Sequence, residues 1–98
     1  MSDEAQRDDQ ALLLRDQGRS YARIAQELNL GGALDANAAF NRALRRRGPA
    51  EQAGLRSREV VRLDALGQRL RNRPGVSEDE LARQLHGLAL LRKTLFVA

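Results

Sequence analysis

The side chains best suited to chemistry are arginines, sixteen of them against a single lysine. Four fall in the stretch DANAAFNRALRRR, residues 35–47: Arg42, Arg45, Arg46 and Arg47, with Asn37 and Asn41 interleaved. A guanidinium is a planar fork of N–H donors that matches a phosphate or the O6/N7 edge of guanine, and an asparagine amide can pair with the N6/N7 edge of adenine. Arg19 and Arg23 stand at the start of another helical stretch, where unpaired backbone N–H groups also favour an anion. Arginines at a helix C-terminus are favoured by the helix dipole alone, so RRR by itself is more simply a helix end.

Other reactive-looking residues have plainer readings. The acid pairs Asp8-Asp9 and Glu78-Asp79-Glu80 fall early in helical stretches, where the dipole accounts for carboxylates. His86, the one histidine, lies beside Leu85 with no partner base or nucleophile in the sequence. Gly31-Gly32 lacks the Lys-Ser/Thr ending of a phosphate-cradling loop and reads as a turn. There is no cysteine, which removes disulfides and thiolate metal sites. No catalytic residue, metal or cofactor is expected.

With 98 residues the prior is one small domain, with room for an appendage. Aromatic content of 3% and an apolar mass of leucine and alanine favour helices. The net charge of +4 is unevenly spread: residues 1–18 carry two arginines and five acids, residues 19–73 twelve arginines and five acids, and residues 74–98 three of each sign. No run of about 18 apolar residues suggests a membrane span. The acidic start MSDEAQRDDQ is unlike a secretory signal, so a cytoplasmic, nucleoid location is expected.

These residues must be held by helices, because no period-two alternation of strand length occurs. A first helix is expected over Asp3–Gln17, ended by Gly18. A second starts after Ser20 as N-cap, with Tyr21, Ile24, Ala25 and Leu28 on one stripe and Asn29 in the left-handed conformation. A third starts at Asp35 as N-cap and buries Ala36, Ala39, Phe40, Ala43 and Leu44. On a wheel of about 100° per residue this turns Ala38, Asn41, Arg42 and Arg45 outward, with Asn37 at the edge. Gly48-Pro49 stops it. A fourth covers 50–72 with Val60, Leu63, Gly67 and Leu70 as its stripe. A fifth, capped by Ser77 with Glu80, runs to about Phe96 with leucines at 81, 85, 88, 91 and 95. The expectation is an all-α chain of about five helices, a trihelical unit over 1–48 and a helical hairpin over 49–98.

SYARIAQELNL followed by DANAAFNRALRRR resembles the helix-turn-helix of bacterial regulators, including sigma-factor-like, resolvase-like and homeodomain-like domains. Ile24-Ala25, Leu28, the Asn29-Leu30 turn and the apolar rhythm of the third helix carry the resemblance over about 30 residues. Ala25 stands where the family has a small residue between crossing helices, and Asn29 where it most often has glycine. The turn GGALD is longer than the family's. The resemblance implies a DNA-binding protein whose third helix enters the major groove. Asn41, Arg42 and Arg45 would then face bases, with Asn37 at the edge, and Arg46, Arg47, Arg19 and Arg23 would meet phosphate.

The leucine stripe of the fifth helix reads either as a core face or as a homodimer interface through residues 60–96, and the basic side of the fourth helix could extend a DNA-facing surface. The expected function is a DNA-binding transcriptional regulator or nucleoid-associated protein without enzymatic activity. The alternative is a protein-interaction module that grips a partner, such as a polymerase subunit or a regulator, through the leucine-rich hairpin.

Overall fold

The computed structural model describes residues 2–97. Among them the fold is all-α, five helices and no strand: α1 Asp3–Asp16, α2 Tyr21–Leu28, α3 Ala33–Arg45, α4 Pro49–Arg71 and α5 Glu78–Leu95. The chain divides into two compact units, Met1–Gln52 and Ala53–Ala98, and the division falls inside α4.

Local chemistry sets the helix ends. The hydroxyls of Ser2, Ser20 and Ser77 accept the backbone N–H of Ala5, Arg23 and Glu80, each at 3.1 Å. Each satisfies one of the donors that a helix start leaves without an internal partner. α1 ends at Gln17 and Gly18, the latter at φ +94°, a conformation in which a Cβ is strained. α2 ends on Asn29 at φ 56°, ψ 44°, and Leu30 N–H folds back to the Ala25 carbonyl at 2.9 Å. Pro49 opens α4, where its missing N–H costs nothing. The Gln52 amide, one turn on, donates to the carbonyls of Arg45 (3.3 Å) and Arg47 (2.7 Å), closing the end of α3.

α3 departs from expectation at its start. It begins at Ala33 after Gly32, not at Asp35, because Ala33 and Leu34 are strong helix formers and join the first turn. Asp35 lies within that turn and does not cap it. Its carboxylate sits where a Cβ on Gly31 would stand, so a larger residue there would make the Asp35 side chain turn aside. The connection between α2 and α3 is therefore only Asn29 to Gly32.

In the first unit α3 is the central helix and packs against both α1 and α2. Ala11, Ile24, Ala36, Ala39, Phe40, Ala43 and Leu44 are essentially sealed from solvent. A stacked node joins the three helices. Arg15 of α1 lies 4.1 Å above the ring of Tyr21 of α2, and that ring meets Phe40 of α3 edge-on at 5.9 Å. Such contacts contribute about 1 kcal/mol each beyond area burial. The Arg15 guanidinium also donates to the Arg19 carbonyl at 2.9 Å.

The second unit is a hairpin. Leu63, Gly67 and Leu70 are buried on α4 and Leu95 on α5. A Cβ on Gly67 would stand 3.6 Å from the Leu88 side chain, so Leu88 of α5 packs over α4 at this glycine. Arg56 Nε donates to the Leu95 carbonyl at 3.1 Å, and Arg92 Nη1 to Asp64 at 2.6 Å. Leu81, Leu85, Leu88 and Leu91 are only half-buried.

Asn29→Val should lower the stability of the chain to urea by about 1–2 kcal/mol, because a β-branched residue is strained at positive φ. Asn29→Gly should leave it unchanged or raise it. Equal midpoints for the two variants would show that the left-handed turn is not what stops α2.

Candidate nucleic-acid interface

The sequence-predicted site residues separate into three groups. Arg45 is exposed, and among the described residues its guanidinium has no carboxylate partner. Arg19 is likewise exposed, before the start of α2. Arg23 is exposed too, with Nε 3.3 Å from the Glu27 carboxylate one turn along the same helix.

The second group is pinned to α1. Arg42 donates to Asp8 in a two-pronged pair, Nε to Oδ2 at 3.0 Å and Nη2 to Oδ1 at 2.9 Å. Arg46 Nη1 donates to the same Oδ2 at 3.2 Å, and its Nη2 reaches the Ala5 carbonyl at 3.3 Å. Glu4 lies 3.5 Å from Arg42, and Asp9 lies 3.5 Å from both Arg46 and Arg47. Arg47 also meets Glu51 at 3.6 Å. The expectation that Arg42 faces freely outward is corrected here, and Arg46 and Arg47, expected to meet phosphate, hold carboxylates of α1. Four carboxylates, Glu4, Asp8, Asp9 and Glu51, stand against Arg42, Arg46 and Arg47, so that with the unpaired Arg45 counted this end of α3 carries no net charge.

The third group is buried. Asn41 is 4% exposed and Asn37 8%, so the expectation that Asn41 faces outward and Asn37 the edge is also corrected. The reason is the width of the covered arc. With helices on two sides, α3 buries everything from Ala39 round to Asn41, about 200° at 100° per residue. Asn41 Nδ2 donates to Asn37 Oδ1 at 3.2 Å, while Asn41 Oδ1 is buried with no hydrogen-bond partner. Neither amide can reach a base edge without leaving the core. The outer side of α3 is instead Leu34, 79% exposed, with half-buried Ala38 and then Arg45.

Asp8 is the residue that sequence reasoning missed. It is the sixth residue of α1, past the first turn where the dipole acts, and is 2% exposed. The signal that could have found it is charge balance: an acidic first helix in the same chain as an Arg-rich third one. Burial on its own would raise the Asp8 pKa. The hydrogen bonds and positive charges of Arg42 and Arg46 outweigh it and hold the carboxyl below the ordinary aspartate value. The Arg42 pKa moves up in turn, mainly through its hydrogen bonds to Asp8. A groove of about 330 Å³ beside this pair has Glu4, Asp8 and Asp35 against Arg7 and Arg42 on its walls, the wrong balance for a phosphate.

Among the described residues, no group of three or more acidic or histidine side chains is placed to hold a metal ion, and no helix is long and apolar enough to cross a membrane. Comparison with known protein families, curated proteins and solved structures finds no match to this chain.

Asp8→Asn should cost about 2 kcal/mol, since it leaves two arginines facing an amide in place of a buried carboxylate. The native Asp8 has a lowered pKa, so its contribution is complete above the unfolded value of about 4 and is lost as pH falls below that through the folded value. Urea midpoints measured from neutral pH downward should fall on the acid side, and more gently in Asp8→Asn. Parallel acid limbs would remove Asp8 from the cause.

Proposed function

We propose that this chain is a non-enzymatic protein that binds double-stranded DNA, a transcriptional regulator or nucleoid-associated protein working at the nucleoid. The observation that carries the reading is Arg45. It projects from the exposed side of α3 without a carboxylate partner among the described residues, on a helix joined to α2 by the short connection Asn29 to Gly32. That connection is of helix-turn-helix length. Arg19 and Arg23, near the α2 N-terminus, add charge where backbone N–H groups favour phosphate. Within α3 the burial of Asn37 and Asn41 leaves Arg45 as the candidate for a base edge, and Arg42, Arg46 and Arg47 act chiefly in holding α1. Binding of this kind is dominated by phosphate contacts, with little base discrimination.

A second reading is favoured by one specific observation. Four α5 leucines are half-covered, and Val61, Leu90, Phe96 and Val97 are exposed by about half or more. Apolar surface of this kind suits a protein partner such as a polymerase subunit or regulator, or a second copy of this chain through residues 60–96. Sedimentation at micromolar concentration separates the two occupants.

Fluorescence anisotropy with duplex DNA over a range of salt concentrations tests the main reading. The expected outcome is binding at about 50 mM salt that weakens as salt rises. Arg45→Ala should weaken it by about 1–3 kcal/mol on a preferred sequence if Arg45 reads a guanine. Small equal reductions on every sequence would limit Arg45 to gripping phosphate, and no binding at low salt would end the DNA reading.

A further inference from the structure

The unit that carries the helix-turn-helix pattern has no charge to spare. Residues 1–52 hold eight arginines and eight acidic residues. Residues 53–98 hold nine basic and five acidic residues, so the whole surplus of +4 belongs to the second unit. Within it the excess is on α4 and the turn after it, where residues 53–73 contain six arginines and two acids. Both acids are engaged: Glu59 lies 3.5 Å from Arg62, and Asp64 2.6 Å from Arg92.

From this distribution we infer that the main phosphate-gripping surface of the protein is the outer face of the C-terminal end of α4, formed by Arg69 and Arg73. This rests on the DNA-binding reading above and moves its centre from α3 to α4. Both residues are exposed, and no carboxylate lies within ion-pair distance of either among the described residues. Arg73 continues the course of the helix, its N–H closing onto the Leu70 carbonyl at 3.3 Å, so it stands about one turn beyond Arg69. Arg69 is about 160° round the helix from Gly67, the point where α5 packs, whereas Arg71 is about 40° from it, with Nη1 3.3 Å from where a Cβ on Gly67 would stand, and so lies on the α5 side. The carboxylates of Glu78, Asp79 and Glu80 belong to the first turn of α5, where the helix dipole stabilises them, and Glu80 accepts from Gln84 at 3.4 Å. The dipole of α4 favours a cation in its last turn but is worth about half a charge, less than the two unpaired charges of Arg69 and Arg73.

The neighbours of these arginines identify the partner. Gln68, Asn72 and Gly75 adjoin them in the chain, and no large apolar or aromatic side chain of residues 65–77 is exposed for membrane insertion or for stacking on single-stranded bases. What remains is the phosphate backbone of a duplex, recognised by charge and not by sequence.

The test uses the full chain, a random-sequence duplex and anisotropy between about 50 and 200 mM salt. The double variant Arg69→Gln, Arg73→Gln should bind about tenfold more weakly at the low end. Its slope of log affinity against log salt should be shallower by about 2, near 0.9 for each phosphate that is no longer neutralised. Arg73→Gln alone, outside the helix and without consequence for folding, should make the slope shallower by about 1. Unchanged affinity and slope in both variants, with weaker binding in Arg45→Ala, would overturn this assignment and leave DNA binding standing. Failure of the native chain to bind would overturn both.

Discussion

A carboxylate cannot be sealed inside a protein unless its charge is met, and Asp8 is sealed. Arg42 and Arg46, one turn apart on α3, both reach across to it. This cross-link fixes the register of α1 along α3 and ties two of the four clustered arginines to α1. Asp9 and Glu51 then draw in Arg47. A basic run that looks in the sequence like a charged prow is, in the folded unit, largely the cation half of an ion-pair network. Electroneutrality of residues 1–52 is the same fact at a larger scale.

The packing of α3 follows from its alanines. Ala36, Ala39 and Ala43 let two neighbouring helices approach closely, which makes α3 the centre of the unit and not its edge. The cost is that polar residues are swept inside with them. Asn37 and Asn41 partly satisfy one another, and Asn41 Oδ1 is left without a partner. Arg15, Tyr21 and Phe40 supply the large surfaces that so alanine-rich a core would otherwise lack. A small unit gains stability from such a node because its apolar core is limited.

The second unit solves the opposite problem. Two helices can cover only one side of one another, so the α5 leucines are half-wet and Phe96 and Val97 are exposed. Its arginines outnumber the acids that could pin them, and Arg69 and Arg73 at the α4 end are exposed without a carboxylate partner among the described residues. Apolar surface and surplus charge, both features of contact with other molecules, are therefore concentrated on the hairpin, while the trihelical unit is internally balanced.

The helices are legible in the sequence because their signals are local. Ser20 and Ser77 as caps, Asn29 at positive φ, Gly18 as a stop and the Gly48-Pro49 break each act within a turn of chain. Hydrophobic spacing names Ile24, Ala36, Phe40 and Leu44 as core for the same reason. The start of α3 is two residues earlier than its sequence suggests, since Asp35 suits an N-cap but equally a first turn beginning at Ala33. Local signals thus suffice for an all-α chain, its five helices and most of their buried stripes. They do not say which arginines are available, because that depends on tertiary structure. Charge pairing between Asp8 and Arg42 spans 34 positions of chain, and burial of Asn41 depends on how many helices flank α3. Neither quantity is periodic along the sequence, because both arise from segments distant in the chain meeting in space.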